Sequence, residues 1–225
     1  MFEAVILAGG MGTRLKSVSG DIPKPMVDVN GKPFLYRTMQ RLEAQGCSKI
    51  VLSLCYKADY IMERINIDKP VNCQVIFTVE ESPLGTGGAI KLAASKISAD
   101  KFVALNGDTH CEINYIDFLD FSQGNQLAIS GVFVDDVSRY GSLILDSDNN
   151  VLSMKEKGSF GSGVINSGIY VVNTNEVLNF DSNSFSFEED FFQNYLGSIK
   201  AFLTDGLFID IGIPEDYYKA CKMIK

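Results

Sequence analysis

The 225-residue sequence predicts an α/β fold with a mostly parallel sheet and helices on both faces. Three observations carry this expectation. Short apolar runs alternate with amphipathic ones over the first 135 residues. A glycine-rich segment follows the first apolar run directly. The composition, 46% hydrophobic and 21% charged, is that of a chain able to bury a sizeable core.

Residues 4–8 (AVILA) read as a buried strand. Residues 32–46 read as a helix, with Pro33 near its start and Gly46 as its C-terminal stop. Strands are expected at 49–54, 73–79, 101–106 and 127–134, and helices at 58–65, 87–97 and 114–121. This βαβα rhythm describes a Rossmann-like sheet. After residue 135 the rhythm changes. Residues 141–154 read as a hairpin turning at Asp148, Asn149 and Asn150. A strand is expected at 163–172, a helix at 187–197, a strand at 207–211, and a last helix at 214–224 opening on Pro214. Residues 1–225 thus read as one domain. About 1–135 form a nucleotide-binding half, and about 136–225 a substrate-side half grafted onto the same sheet.

Composition narrows the function classes. The formal net charge of −8 argues against nucleic acid, so any bound anion must be held by a local cluster. No apolar run approaches the roughly 20 residues that span a bilayer, and the first ten residues carry no basic segment of a signal peptide. The five cysteines are scattered, odd in number and form no C-x-x-C pair. They read as reduced cytoplasmic thiols.

The stretch LAGGMGTRLKSVSGDIPKPM, Leu7 to Met26, carries the chemistry. In a parallel sheet, ligands sit beyond the carboxyl ends of the strands, where Gly9, Gly10 and Gly12 fall. Glycines let backbone N–H groups converge on phosphate oxygens. Arg14 adds a planar fork, and Lys24, stiffened between Pro23 and Pro25, a point charge. Two commoner phosphate loops do not fit. The G-x-G-x-x-G pattern would need glycine where Leu15 stands, and no G-K-[ST] triplet exists. The single histidine, His110, follows Asp108 by two and reads either as a satisfied structural residue or as one at the site rim. The aromatics Phe185, Phe187, Phe191, Phe192 and Tyr195 read as core and helix face, not as a stacking platform.

The string L-A-G-G-x-G-T-R-L followed by P-K-P resembles the signature of the sugar-nucleotide pyrophosphorylases, nucleotidyltransferases acting on sugar 1-phosphates. SPLGTGGAI (82–90), LNGD (105–108) and FIDIGIPEDYYKA (208–220) resemble that family's further motifs in the same order. The resemblance implies a glycosyltransferase-A-like nucleotidyltransferase fold. It implies a reaction in which a sugar 1-phosphate attacks the α-phosphorus of a nucleoside triphosphate (NTP) and pyrophosphate leaves. Leu7, Gly9, Gly10, Gly12, Thr13, Glu81 and Gly87 would bind the nucleotide. Arg14 and Lys24 would be catalytic, Arg14 on the pyrophosphate and Lys24 on the phosphates of both substrates. Asp108 and Asp210 would hold one Mg2+. Gly141, Glu156, Lys157 and Asn166 would bind the sugar phosphate.

Within the family, GDIPKPM, LGTGGAIK, SFEEDF and FIDIGIPEDYY look most like the small D-glycero-α-D-manno-heptose 1-phosphate guanylyltransferases, which make GDP-heptose for surface polysaccharide. That implies GTP as the NTP and a cytoplasmic enzyme without nucleic-acid or membrane partners, and it leaves room for a homo-oligomer. Glu81, or Glu80 beside it, would accept from guanine N1–H and the 2-amino group. The alternatives are a uridylyl- or thymidylyltransferase on a hexose, mannose or N-acetylmuramate 1-phosphate, a non-catalytic nucleotide-sugar binding subunit, and a glycosyltransferase on a related sheet. The joint presence of Arg14, Lys24, Asp108 and Asp210 favours an enzyme over a decayed binding module. The absence of an Asp-x-Asp at the end of a central strand disfavours the glycosyltransferase.

Overall fold

Alternation within the apolar runs assigns each strand residue to one of two faces. Ala4 and Ile6 join one buried cluster with Ile50, Leu52, Val103 and Leu105. Val5 joins the other with Val51, Phe102 and Ala104. A computed structural model of the chain describes residues 1–155 and 157–224, so Glu156 and Lys225 lie outside the described residues.

In chain order the elements are β1 (Phe2–Leu7), α1 (Lys16–Ser19), β2 (Asp28–Val29), β3 (Lys32–Pro33), α2 (Phe34–Ala44), β4 (Cys47–Leu54), α3 (Ala58–Asp68), β5 (Gln74–Val79), α4 (Gly85–Ala94) and β6 (Lys101–Asn106). Then come β7 (Thr109–Cys111), α5 (Tyr115–Phe121), β8 (Leu127–Val134), β9 (Ser142–Leu145), β10 (Val151–Lys155), β11 (Gly163–Asn173), α6 (Thr174–Leu178), β12 (Lys200–Thr204), β13 (Phe208–Asp210) and α7 (Pro214–Met223). The main sheet runs β10-β9-β11-β6-β1-β4-β5, with β8 on β11 and β12 on β8. All its strands except β10 and β11 point the same way. Side chains of α2, α3 and α5 pack on one face and those of α4 and α6 on the other. Each fully buried Ile, Leu or Val on these faces contributes roughly 1.5–3 kcal/mol.

The expected α/β architecture is therefore present, and most expected elements fall within a few residues of their place. Gly46 stops α2 as expected, at φ 91°. The 141–154 hairpin turns through Asn149 in the left-handed region, at φ 60°.

Two expectations need correction. The helix expected over 187–197 is a π turn at Phe187–Phe191 followed by a 3-10 turn at Phe192–Tyr195. Phe187, Phe191 and Phe192 are all buried, together with Phe185. An α-helix, advancing about 100° per residue, would swing Phe192 away from Phe187. The wider turn admits both to the core. The strand expected over 207–211 forms as β13 but does not join the main sheet. It pairs with β7, a three-residue strand hidden in the sequence after Asp108. β12 was not foreseen either, and it lies parallel to β8 as a sheet edge.

Candidate active site

Two ladders bring the first loop and the acidic residues together. Leu7, the last residue of β1, pairs with Asn106, the last of β6. The following Gly107 donates its N–H to the Leu7 carbonyl at 2.8 Å. A Cβ on Gly107 would lie 2.7 Å from that carbonyl oxygen, so only glycine lets the chain pass. Asp108 follows at once. On the second ladder Asp210 of β13 stands opposite Thr109 of β7, and the Ile211 N–H donates to the Asp108 carbonyl at 3.0 Å. The two aspartates, 102 residues apart in the chain, thus become neighbours through a three-residue strand pair.

Lys24 closes this cluster. It is only 8% exposed. Its Nζ donates to Asp108 Oδ2 at 2.6 Å and lies 3.9 Å from Asp210 Oδ1. Gly12 holds it there. Gly12 has φ 60°, and a Cβ on it would come within 2.7 Å of the Lys24 Cβ. Burial, then the Asp108 charge, raises the Asp210 pKa, and Lys24, the Gly212 N–H and Lys157 partly offset this. Two carboxylates crowded at one ammonium suit a divalent cation. No group of three or more Asp, Glu, His or Cys forms a fuller cage among the described residues. That donor set fits Mg2+, which binds through one or two carboxylates, waters and substrate phosphate oxygens.

The other loop residues separate by their reason for being there. Arg14 and Thr13 are exposed, while Leu15 between them and α1 is buried with Ile209 and Ile211, beside Asp210. Arg14 makes no ion pair among the described residues, which leaves its guanidinium available. Gly9 sits 3.0 Å, through a built Cβ, from Cys55, so tight packing accounts for it. Gly10 differs. It is exposed, its φ is not in the left-handed region, and a Cβ on it would meet nothing within 4 Å. Nothing in the fold requires a glycine there.

A cavity of about 580 Å3 opens beside the cluster. Asp210, expected at the metal, and Gly141, Lys157 and Asn166, expected at the sugar phosphate, all line it. Gly141 accepts from the Asn166 N–H at 2.9 Å, and a Cβ on it would make only an ordinary 3.7 Å contact with the Lys155 carbonyl. Its wall includes Tyr140, whose ring meets Phe208 edge-on at 5.4 Å. An Arg139–Asp216 ion pair ties this segment to α7. Glu156, the expected hydroxyl acceptor, lies outside the described residues.

The second glycine loop packs against the Phe185 segment. Gly87 is buried under Phe185, whose ring a Cβ would strike at 2.2 Å, and its N–H donates to the Phe185 carbonyl at 3.0 Å. Packing thus explains this glycine, and any nucleotide contact must come from its Cα or carbonyl side. Glu80 accepts from the Leu84 N–H at 2.9 Å and so shapes the loop, whereas Glu81 is exposed. His110 is largely buried, with Nδ1 3.4 Å from an Arg41 guanidinium nitrogen. Burial, with Arg41 and Arg37 nearby, pushes its pKa down to about 4, so it is neutral.

Residues not singled out from sequence also line the cavity, among them Asn106, Tyr170 and Glu188. Asn166, Gly168 and Tyr170 recur at every second position, and that strand period is the signal for Tyr170. Nothing local points to Asn106.

The contrast among the glycines gives a test. Gly10→Ala and Gly141→Ala should leave stability unchanged or raise it by up to about 1 kcal/mol. Gly12→Ala should destabilise by about 1–3 kcal/mol, because its φ is strained and Lys24 is displaced. Gly10→Ala should raise the NTP KM about tenfold or more, the value of a lost hydrogen bond to a charged group. Gly141→Ala should raise only the sugar-phosphate KM. Thermal melts and steady-state kinetics on the three variants check this.

The family model described as "Nucleotidyl transferase" matches residues 3–225. The D-glycero-alpha-D-manno-heptose 1-phosphate guanylyltransferase of Campylobacter jejuni subsp. jejuni serotype O:2 is 39% identical over 219 residues, covering 96% of this chain and 97% of that protein. The protein of the same description from Aneurinibacillus thermoaerophilus is 38% identical, covering 99% and 98%. Crystal structures of HddC from Yersinia pseudotuberculosis, one of them complexed with GMP-PN, are 58% identical, match all of both chains and superpose with a TM-score of 0.93. The family generally uses a divalent metal. A glycine-rich first loop, a lysine on paired aspartates and a full-length match to the family model lead to one conclusion: this chain belongs to the nucleotidyl transferase family.

Proposed function

We propose that the protein transfers a guanylyl group from GTP to D-glycero-α-D-manno-heptose 1-phosphate, giving GDP-heptose and pyrophosphate. The observation that carries this reading is the meeting of Lys24, Asp108 and Asp210 at the edge of a cavity lined by Gly141, Lys157 and Asn166. Identity of 38–39% over 96–99% of the chain to proteins described as guanylyltransferases of that sugar supports the choice of base and sugar.

In this reading residues 1–225 act as one domain, with the nucleotide held by roughly the first 135 residues and the sugar phosphate by the remainder. A sugar-phosphate oxygen forms a bond to the α-phosphorus of GTP. The bond from that phosphorus to the bridging oxygen breaks, and pyrophosphate leaves with the electron pair. Both reactants are anionic, so the barrier is charge repulsion and alignment. Leu7, Gly9, Gly10, Gly12 and Thr13 bring backbone to the triphosphate. Arg14 meets the departing pyrophosphate, and Lys24 spans the phosphates of both substrates. Asp108 and Asp210 would hold Mg2+, which would supply charge neutralisation and alignment of the phosphates when bound. The nucleophile is already ionised, so no general base is needed, in keeping with a buried, neutral His110. Glu81 accepts from guanine and Gly87 lies against the ribose. Glu156 and Asn166 take sugar hydroxyls, and Lys157 takes the sugar phosphate. No helix among the described residues is long and apolar enough to cross a membrane, and we place the enzyme in the cytoplasm.

Pyrophosphate release from GTP with heptose, mannose and glucose 1-phosphates tests the sugar assignment. The heptose should give the highest kcat/KM, by about tenfold or more over the hexoses, the value of about one well-placed hydrogen-bonding group. A hexose 1-phosphate that outruns the heptose would refute the assignment.

A further inference from the structure

A chain of hydrogen bonds runs along the cavity wall through Asn166, Tyr170 and Glu188 and ends at Thr86 in the second glycine loop. Asn166 Nδ2 donates to the Tyr170 hydroxyl at 2.8 Å. That hydroxyl donates to Glu188 Oε1 at 2.9 Å. Thr86 Oγ1 donates to Glu188 Oε2 at 2.9 Å and accepts from the Phe187 N–H at 2.9 Å. At the other end Asn166 Oδ1 accepts from the Gly168 N–H at 2.8 Å. Both Glu188 oxygens are therefore engaged, one by Tyr170 and the other by Thr86. The Tyr170 ring is buried and wedged edge-on between Phe187 and Phe192, at 5.0 and 5.6 Å. The π turn that seats these phenylalanines also carries Glu188.

The directions of these bonds are not free. A carboxylate only accepts, so both hydroxyls must donate to Glu188. Burial and the Glu188 charge keep the Tyr170 proton in place by raising its pKa well above the usual value. With that proton committed, the tyrosine oxygen can only accept from Asn166. The amide is thereby set one way round. Flipped, it would place oxygen against oxygen at Tyr170 and N–H against N–H at Gly168. Set as it is, Asn166 keeps one N–H and one lone pair for the cavity, a matched donor and acceptor for a polyhydroxylated ligand.

We propose that Glu188 is a positioning residue that fixes the Asn166 amide through Tyr170 and holds the second glycine loop through Thr86, so that one carboxylate sets both substrate sites. This rests on the assignment of Asn166 to the sugar and of the second loop to the nucleotide.

The test is steady-state kinetics with GTP and heptose 1-phosphate on isosteric variants. Tyr170→Phe keeps the ring and cuts the arm to Asn166. It should raise the sugar-phosphate KM about five- to tenfold, the value of one hydrogen bond, with the GTP KM within about twofold. Thr86→Val should do the reverse. Glu188→Gln should raise both. A merely structural role would lower the melting temperature and active fraction without splitting the two KM values. A folded Tyr170→Phe enzyme with an unchanged sugar-phosphate KM overturns the proposal. Should Tyr170→Phe fail to fold, Glu188→Gln decides alone, and an unchanged pair of KM values overturns it. Asn166→Ala separates the two levels. If it leaves the sugar-phosphate KM unaltered, the sugar-pocket assignment falls and this proposal with it. If it raises that KM while Tyr170→Phe does not, only the role of Glu188 falls.

Discussion

Asp108→Asn and Asp210→Asn should each lower kcat by at least about a hundredfold while the fold stays intact. The two carboxylates are the acidic groups that the β7–β13 ladder brings to Lys24, and asparagine removes the charge that would hold a cation without changing shape. The local backbone contacts survive. The Asp108 carbonyl still accepts from Ile211, and an amide oxygen at 210 can still accept from the Gly212 N–H, now at 2.7 Å. Stability should move the other way at Asp210. Its folded pKa is raised by burial and by Asp108, so the charged form is disfavoured in the fold. A raised carboxylate pKa contributes stability at low pH that is lost as pH rises above the unfolded value. At neutral pH without metal the charge is therefore a cost, and Asp210→Asn should melt at or above the wild-type temperature. Near-normal turnover in either variant at saturating Mg2+ would remove that residue from the metal site.

Lys24→Met is expected to have the next largest effect. Methionine fills the buried space against Gly12 but supplies no charge. Turnover should fall about a hundredfold, since a preorganised cation facing the developing charge is lost. The sugar-phosphate KM should rise along with the GTP terms, because Lys24 lies between the first loop and the cavity edge at Asp210. Mg2+ should bind the substrate-free variant more tightly than wild type, as Lys24 no longer competes for Asp108 and Asp210. Isothermal titration of Mg2+ and a two-substrate kinetic matrix check both statements. A change confined to the GTP terms would contradict the dual contact.

The first half of the fold was legible because each strand there alternates buried faces and each helix has a punctuating residue, such as Gly46 after α2. β7 was not legible. Thr109, His110 and Cys111 carry too short a pattern, and their partner lies about 100 residues away. The π turn escaped for a similar reason. FEEDFF has helical spacing for Phe187 and Phe191, and only the demand to bury Phe192 as well widens it. At the site, Gly10 and Gly12 look alike in the string, yet one is packed on Lys24 and the other on nothing. Asp210 carried no signal of its own and came only from the family motif. The Asn166–Tyr170–Glu188–Thr86 chain was out of reach, since it joins four side chains from three separate elements.

The most direct test of the guanylyl reading is pyrophosphate release with GTP, ITP, UTP and dTTP at fixed heptose 1-phosphate. GTP should give the highest kcat/KM. ITP lacks the 2-amino group and leaves its acceptor unpaired, at a cost of about 1–3 kcal/mol, or roughly ten- to a hundredfold. UTP and dTTP should fall lower still, since a single ring also leaves a cavity. Glu81→Gln should narrow the gap between GTP and ITP without altering Mg2+ dependence. UTP or dTTP outrunning GTP in the wild-type enzyme would contradict the account.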